Sequence, residues 1–343
     1  MNKLPKIGLD LGSTAIKLVE LLPAGGDKWK LAAAASAASP LAGVITSQTD
    51  MGGLTAVVAK LVKESGAKSK RVVTALPEEQ VSSHIVEMPM MSDSEVEQAL
   101  KWQVEQYIPI PVEKAVWSHQ VIRRDLASGG MEVLLVAVAK NLVNMIVAVV
   151  EKAGLEVVAV DTELGATVRC EIDSKFPLSI ILDIGSKTTD LGIVRESQLV
   201  FSRTVPTAGE AFIRSIETGL GLDKGQARQY LGSYGFSADK LGGKLVEVAR
   251  PVLAVIATEI KKTSDFYVSK HPGENIRMVV LSGGMAVVPE IAPALSSMLG
   301  IEVAIGNPLA RLDIDNKSKK AAKITPAEGP FYGVAIGLAM REL

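Results

Sequence analysis

Two short stretches of the sequence carry the same chemically capable residues in the same order. They read LDLGS at residues 9–13 and LDIGS at residues 182–186, and in each an apolar, strand-like run ends in an aspartate followed by a glycine and a serine. Such a turn presents backbone N–H groups and a hydroxyl to phosphate oxygens, and the glycine permits close approach. Carboxylates repel a phosphate unless a divalent cation lies between them. Asp10 and Asp183 therefore predict Mg²⁺ held largely through water.

The recurrence of this stretch half a chain later predicts an internal duplication. One such turn is typical of an ordinary β-hairpin, but an ordinary turn has no reason to recur in register with the two halves of a 343-residue chain. The copies differ at one equivalent place. Lys17 supplies a positive charge on the second strand of the first hairpin, where the second copy has Asp190. The two hairpins are thus related but not equivalent.

A third stretch, VVLSGGM at residues 279–285, is a strand that runs into a diglycine turn and then a helix. Alone it could be any strand-to-helix turn. After two phosphate-type turns it is the natural place for the base and sugar of a nucleotide. Other nucleotide or catalytic signatures are missing from the sequence: it has no P-loop, no G-x-S-x-G elbow and no pair of histidines at metal-ligand spacing.

The composition is that of a well-packed globular protein long enough for two lobes. Hydrophobic residues make up 48% of the chain and aromatic residues only 4%, and the net charge is -1. Neither a basic surface nor stacking platforms for nucleic acid are therefore expected. The single cysteine, Cys170, cannot form an internal disulfide, and the N-terminal residues lack the apolar core of a signal peptide, so a cytosolic location is expected.

The elements that must position these turns alternate between strands and helices, which predicts a mixed α/β protein. In the first half we expect a hairpin over 6–22, a helix ending at Gly66 and strands over 71–76 and 155–160, with a helix over 161–170. Ser92 and Glu95 predict a capping box within a separate module. The most apolar stretch, residues 131–150, is interrupted by polar residues at its centre and is predicted as a strand (133–139) and a helix (141–152) instead of a membrane span.

In the second half, three successive helices are predicted, over residues 209–218, 223–231 and 245–269. Pro251 is expected to mark a fresh first turn or a kink in the third helix. Strands over 276–281 and 301–305 flank a helix over 289–299, and a last helix is predicted over 329–340. The basic run at 316–320 is expected to be a solvated loop.

The order of these motifs resembles that of the actin-like ATPase superfamily. The motifs that carry the resemblance are DLGSTxxK (10–17), VDTELG (160–165), DIGSKTTD (183–190), SGGM (282–285) and GPFYGVAIG (329–337). Within the superfamily the chain resembles the PilM family of type IV pilus assembly, which is itself similar to the division protein FtsA. The resemblance implies a duplicated actin-like (ribonuclease H-like) α/β fold with two lobes and an inserted subdomain.

The resemblance also implies where these parts begin and end. The first lobe would comprise residues 1–76, 156–178 and the C-terminal helix 329–343. The inserted subdomain would comprise 77–155, and the second lobe 179–328 with a helical subdomain over about 210–272.

The same resemblance implies roles for individual residues in binding Mg-ATP. Asp10 and Asp183 would coordinate Mg²⁺ through water. The residues that would contact phosphate are Gly12, Ser13, Thr14, Lys17, Gly185, Ser186 and Thr188. Those that would flank the adenosine are Gly283, Gly284 and Met285, and those at positions where relatives touch sugar or base are Gly209, Glu210, Glu259 and Lys262. For Glu259 and Lys262 an exposed helical ion pair at i,i+3 spacing is an equal alternative.

Slow hydrolysis, or none, is expected beside tight ATP binding. Relatives that hydrolyse ATP position the attacking water with a Gln or Glu near the first connecting motif, and the best-placed residue here is Asp161, a shorter acid. Lys187 also occupies a position in the second turn where many relatives have a small residue. The resemblance thus implies a nucleotide-dependent scaffold or switch.

The PilM resemblance also implies a partner. That family docks the short cytoplasmic N-terminal segment of the membrane protein PilN in a groove between the first lobe and the inserted module, so membrane association would come through partners. Two alternatives remain open. An FtsA-like filament protein would end in a membrane-binding amphipathic helix, which the C-terminal residues here do not resemble. A small-molecule kinase would need a carboxylate aimed at a substrate hydroxyl, and none is evident.

Overall fold

The computed structural model describes residues 4–41, 43–125, 129–172, 176–313 and 324–342. Strands and helices alternate along the chain, as predicted, and build three sheets. The basic run at 316–320 lies outside the described residues. In the part of the chain that is described, no helix is both long enough and apolar enough to cross a bilayer.

The first sheet contains the first of the two repeated turns. Its six strands are β1 (Lys6–Leu11), β2 (Ala15–Pro23), β3 (Trp29–Ala38), β4 (Arg71–Leu76), β8 (Glu156–Thr162) and β14 (Leu312–Asp313). They lie in the order β14-β3-β2-β1-β4-β8. β1 pairs antiparallel with β2 and parallel with β4, so the residues that follow β1 and β4 emerge at the same edge of the sheet.

Four helices cover the two faces of this sheet. Buried aliphatic side chains of α1 (Gln48–Ser65) and α3 (Lys140–Lys152) pack on one face. The helices α4 (Glu163–Glu171) and α9 (Gly333–Ala339) pack on the other face. A capping box between Ser47 and Asp50 begins α1, and Gly66 in the left-handed conformation ends it where the sequence predicts.

The second sheet repeats the pairing around its own turn. Its strands are β9 (Leu178–Ile184), β10 (Thr189–Arg195), β11 (Gln198–Val205), β12 (Met278–Ser282) and β13 (Glu302–Ile305), in the order β11-β10-β9-β12-β13. β9 pairs antiparallel with β10 and parallel with β12, as β1 does with β2 and β4. The helices on this sheet are α5 (Gly209–Leu220), α6 (Lys224–Tyr234), α7 (Lys244–Lys270) and α8 (Ile291–Leu299).

The third sheet is built from the segment between β4 and β8. It consists of β5 (Ser82–Pro89), β6 (Ala115–Asp125) and β7 (Gly130–Ala139), in the order β5-β7-β6, with α2 (Asp93–Gln103) packed against it. The predicted capping box of Ser92 and Glu95 is present at the start of α2. The sheet also touches the second sheet, because the Ser202 hydroxyl donates a hydrogen bond to Oγ of Ser83 at 3.0 Å.

The helix predicted over 245–269 is present as α7, which continues through Pro251 without a fresh first turn because Leu253, Ile256 and Ile260 bury one face of it against the second sheet. Two other elements differ from the predictions. The last predicted helix begins as a 3₁₀ helix over Pro326–Tyr332, since Pro330 interrupts the α-helical hydrogen bonds, and only the remainder is α-helical. Residues 312–313, which lie in the range predicted for the second lobe, pair instead with β3 of the first sheet.

Candidate functional site

A cavity of about 470 Å³, here called the central cavity, lies where the two repeated turns meet. Both turns and the diglycine turn after β12 line it. The sequence-predicted residues that it brings together are Asp10, Gly12, Ser13, Thr14, Lys17, Asp183, Gly185, Ser186, Thr188, Gly209, Gly283, Gly284 and Met285. These residues come from four separate parts of the sequence, so it is the pairing of β1 with β2 and of β9 with β10 and β12 that assembles them.

The first hairpin contributes an ion pair to this cavity. Asp10 on β1 lies directly opposite Lys17 on β2, and Lys17 Nζ is 2.8 Å from Asp10 Oδ2. Burial alone would lower the pKa of Lys17, but the neighbouring carboxylates, Asp10 first among them, raise it above its usual value. Lys17 also lies over the ring of Phe331, at 4.7 Å from the ring centroid. The ammonium is therefore a fixed positive charge beside Asp10.

In the second hairpin, both positions equivalent to Asp10 and Lys17 are occupied by carboxylates. Asp183 on β9 lies opposite Asp190 on β10. Burial, together with the charge of Asp190, raises the pKa of Asp183 to about 7. Burial likewise raises the pKa of Asp190 to about 6, although hydroxyl hydrogen bonds from Thr204 and Thr188, at 2.6 and 3.4 Å, partly offset this effect. The second hairpin thus places two carboxylates opposite each other, where the first hairpin pairs a carboxylate with a lysine.

The excess of carboxylates fits a hydrated divalent cation. The cavity is lined by four carboxylates and three cationic side chains. The carboxylates are those of Asp10, Glu163, Asp183 and Asp190, and the cationic side chains are those of Lys17, Lys187 and Arg228. Within the described ranges, no three His, Cys, Asp or Glu side chains converge as direct metal ligands. Mg²⁺ usually keeps several of its waters and binds one or two carboxylates, so this donor set suits it.

At two glycines in these turns, neighbouring atoms of the protein leave no room for a side chain. Gly283 has φ +81, and a Cβ placed on it would overlap Asp183 Oδ1. A Cβ on Gly12 would lie 2.7 Å from the carbonyl oxygen of Ala15. Gly209 begins α5 beside the second turn, and the next N–H, that of Glu210, donates to the Ser186 carbonyl at 2.8 Å. Close packing within the turns therefore requires glycine at positions 12 and 283.

Four predicted residues do not line the central cavity. The N–H of Glu210 joins the second turn, but its side chain lies outside the lining. Glu259 forms the i,i+3 ion pair with Lys262 at 2.8 Å, the alternative noted from the sequence, and a second ion pair with Arg203 at 2.8 Å. The fourth residue, Asp161, forms ion pairs with Arg169 at 2.7 Å and Arg341 at 2.6 Å.

The acid that lines the central cavity near the first connecting motif is Glu163, not the sequence-based candidate Asp161. β8 extends through Asp161 to Thr162, whose side chain caps α4, and Glu163 is the first residue of that helix. The sequence predicts a helix from Asp161, whereas the structure has Asp161 on β8 and begins the helix two residues later, so Asp161 lies outside the central cavity. Glu163 lies in the same VDTELG motif, so the motif itself was the signal for it.

Two further lining residues were not named from the sequence, Phe331 in the 3₁₀ helix and Arg228 on α6. Phe331 lies within the GPFYGVAIG motif, so that motif was a signal for it. Arg228 belongs to a polar helix with no recognisable motif, and only the packing of that helix on α5 brings it to the site.

A second cavity of about 770 Å³, here called the lateral groove, lies on the other side of Glu163. Apolar side chains of the third sheet, such as Val136 and Val138, form one wall. Gly165 and Val168 of α4 and the ion pairs of Asp161 with Arg169 and Arg341 form another. Residues 197–199, at the β10–β11 turn of the second sheet, close one side.

Two sheets with the same strand pairing, each directing an Asp-x-Gly-Ser turn into a shared cavity, define the class of actin-like ATPase folds. The chain belongs to the PilM family: the sequence model of the family described as "Type IV pilus assembly protein PilM" matches residues 8–343. The predicted fold class and the predicted family are both confirmed.

Solved structures agree with this assignment. A structure described as the PilM-PilN type IV pilus biogenesis complex superposes with a TM-score of 0.80 at 25% identity, covering 98% of each chain. The ethanolamine utilization protein EutJ from Carboxydothermus hydrogenoformans has a TM-score of 0.60 at 19% identity, covering 99% of this chain and 90% of that one. MreB5 of Spiroplasma citri bound to ADP has a TM-score of 0.52 at 15% identity, covering 97% and 94%. The last two show the shared fold alone.

Proposed function

We propose that this pilus assembly protein binds Mg-ATP in the central cavity. The observation that carries the proposal is the meeting of both Asp-x-Gly-Ser turns and the diglycine turn at one cavity. The two turns and Lys17 hold the phosphates, and Gly283, Gly284 and Met285 flank the adenosine. The MreB5 structure, described as bound to ADP, supports a nucleotide in this fold.

Asp10 and Asp183 hold the Mg²⁺ through water. When bound, the cation neutralises the phosphate charge that these carboxylates would otherwise repel. The role of Lys17 is to balance Asp10, and that of the glycines is to admit the phosphate oxygens to the backbone N–H groups.

We assign the water-positioning role to Glu163 and expect slow hydrolysis or none. Glu163 Oε2 already accepts a hydrogen bond from the N–H of Glu78 at 2.9 Å, which limits how freely the carboxylate can turn toward a water. Lys187 also lines the cavity beside the second turn. Nucleotide binding in this proposal serves assembly, as a scaffold or switch.

The partner that we propose for the lateral groove is the N-terminal cytoplasmic segment of PilN. Support comes from the similarity to a PilM chain whose structure is described as a complex with PilN. The groove offers an apolar wall from β6 and β7 and a polar wall from α4, which suits an extended amphipathic peptide. The third sheet then acts as the inserted subdomain, and contact with the inner membrane comes through PilN.

Calorimetry and a pull-down test the two parts of this proposal. Wild-type protein is titrated with Mg-ATP, and Asp10→Ala is compared with Asp265→Ala, which changes an exposed aspartate on α7. We expect the first substitution to abolish binding and the second to leave it unchanged. A wild type that binds no Mg-ATP would overturn the nucleotide proposal. Failure of a PilN N-terminal peptide to retain the protein, with or without nucleotide, would overturn the partner.

A phosphoryl-acceptor screen tests the alternative activity. The protein is incubated with Mg-ATP and panels of sugars and short carboxylic acids, and ADP release is followed. We expect no acceptor to accelerate it. Rapid transfer to any acceptor would identify a small-molecule kinase instead.

A further inference from the structure

Two glutamates that follow adjacent strands, Glu78 and Glu163, are joined by two hydrogen bonds between side-chain carboxylates and backbone N–H groups. β4 and β8 are parallel and end together, with Leu76 opposite Thr162. Just beyond, the N–H of Glu78 donates to Glu163 Oε2 at 2.9 Å, and the N–H of Leu164 donates to Glu78 Oε2 at 3.3 Å. Each carboxylate therefore accepts from the first turn of the helix that begins at the other glutamate. Displacement of one glutamate breaks a backbone hydrogen bond of the other.

This pair lies in the wall between the two cavities. Glu163 lines the central cavity, and Glu78 lines the lateral groove. Both also line a small space of about 60 Å³ between them, together with Ser13 and Thr188 of the two phosphate-type turns. A ligand in the central cavity can therefore contact Glu163, and a ligand in the lateral groove can contact Glu78.

The burial of the Glu78 carboxylate costs free energy that a purely structural position would not require. It is 3% exposed, and hydrogen bonds from the Leu164 N–H and the Ser202 hydroxyl only partly offset the burial of its carboxylate. Burial first, and the charge of Asp190 next, raise its pKa to about 7. A glutamine would fill the same space without the desolvation cost of a carboxylate. Groups held in this way are concentrated at functional positions.

We propose that Glu78 is a positioning residue that orients Glu163 and couples occupancy of the central cavity to occupancy of the lateral groove. The inference rests on the proposed function, because it takes Mg-ATP and the PilN segment as the two ligands. The coupling is positive. A ligand in either cavity restricts the motion of the junction between β4, β8 and α4. The ligand that binds second therefore loses less conformational entropy when it binds. By reciprocity, the peptide strengthens nucleotide binding by the same factor as the nucleotide strengthens peptide binding.

The test measures this factor in the full chain. The affinity for Mg-AMPPNP is determined by calorimetry with and without a saturating synthetic peptide of the PilN N-terminal segment. The proteins compared are wild type, Glu78→Ala, Glu78→Gln and Val58→Ala. The last variant is the control for stability, since it truncates a buried side chain on α1 that lines neither cavity. Melting temperatures are recorded for all four proteins.

We expect the peptide to tighten nucleotide binding at least about fivefold in the wild type. Glu78→Ala lowers this factor to about one, whereas Glu78→Gln, whose amide oxygen still accepts from Leu164, retains most of it. Val58→Ala lowers the melting temperature and keeps the factor, which separates coupling from stability. Binding of both ligands with no coupling in the wild type, or full coupling in Glu78→Ala, would overturn the inference alone. Failure of the wild type to bind either ligand would overturn the proposed function and the coupling with it.

Discussion

Asp10 and Asp183 occupy equivalent positions in the two hairpins, but their surroundings differ. Asp10 faces Lys17 at 2.8 Å, whereas Asp183 faces Asp190. One carboxylate is thus paired with a lysine, whereas the other faces a second carboxylate. This difference predicts how the two halves respond to pH and to ligand.

Without ligand, the charge on Asp183 destabilises the folded state at high pH. Its folded pKa, about 7, lies above the ordinary 3.8, so the folded state holds the proton more tightly and the free energy of unfolding falls as pH rises between these values. Asp183→Asn removes this loss. As the pH rises from 5 to 8, we expect the unfolding free energy of the variant to increase relative to that of the wild type by about 2 kcal/mol. This value allows for water in the cavity.

Urea unfolding at pH 5 and pH 8, without nucleotide or magnesium, measures this gain. Asp265→Asn, at an exposed position on α7, is the control and should follow the wild type. A variant curve parallel to that of the wild type would show that Asp183 carries no such penalty.

Alanine substitutions at Gly283 and Gly273 can distinguish the cost of backbone strain from the cost of a steric clash. Both have a left-handed φ, +81 and +92, but a Cβ would overlap Asp183 only at Gly283, whereas Gly273 faces open space. We expect Gly273→Ala to cost about 1 kcal/mol of unfolding free energy from φ alone. Gly283→Ala should cost about 2 kcal/mol more and also abolish Mg-ATP binding. Denaturant unfolding and calorimetry check both effects, and equal costs would mean that the turn can shift to accept a methyl group.

At the scale of elements, α9 packs closely against α4 and β1 because a glycine lies at each contact. A Cβ on Gly337 would overlap the backbone of Ala166 on α4, and a Cβ on Gly8 of β1 would overlap the backbone of Ala335 on α9. The side-chain cluster that includes Ala166, Val334 and Leu338 is buried between these elements. Close backbone approach is therefore what seats α9 between the first sheet and α4.

Two helical glycines should respond to alanine with opposite signs. Gly337→Ala forces α9 away from α4 and should lower the free energy of unfolding by about 1–3 kcal/mol. Gly52, in the first half of α1, is exposed with no atom near its Cβ position, so Gly52→Ala should raise it by up to about 1 kcal/mol through helix propensity. Urea denaturation of both variants provides the comparison. A neutral or stabilising Gly337→Ala would contradict the close packing of α9.

At the scale of the whole molecule, the site depends on contacts between separate sheets. The third sheet touches the second through Ser83 and Ser202, and Nε2 of His271 at the end of α7 lies 3.0 Å from Glu132 Oε1 on β7. The central cavity in turn draws its lining from the first and second sheets. A ligand bound there contacts parts of both halves of the duplication.

Mg-ATP should therefore stabilise the whole fold. A ligand that binds only the folded state adds about 2.7 kcal/mol at a concentration one hundred times its dissociation constant. We expect one cooperative thermal transition to move upward with Mg-AMPPNP in the wild type and to stay in place in Asp10→Ala. A transition that splits, with only one part moving, would show that the nucleotide contacts one lobe alone.

The sequence by itself determined the repeated turns, the order of the motifs and most of the secondary structure. Hydrophobic runs, capping residues and glycine turns are local, so the hairpin at Gly12, the end of α1 at Gly66 and the capping box at Ser92 follow from their own neighbours. The family could also be recognised, because motif order is a property of the chain alone.

The tertiary structure alone decided which side chains share a cavity. Extension of β8 through Thr162 turned Asp161 toward Arg169 and Arg341 and left Glu163 facing the turns. The hydrogen bonds between Glu78 and Glu163 join residues far apart in the sequence, and they exist only because β4 and β8 end side by side. Such contacts depend on strand register and on where a helix begins, and neither is encoded by local residue pattern to within one residue.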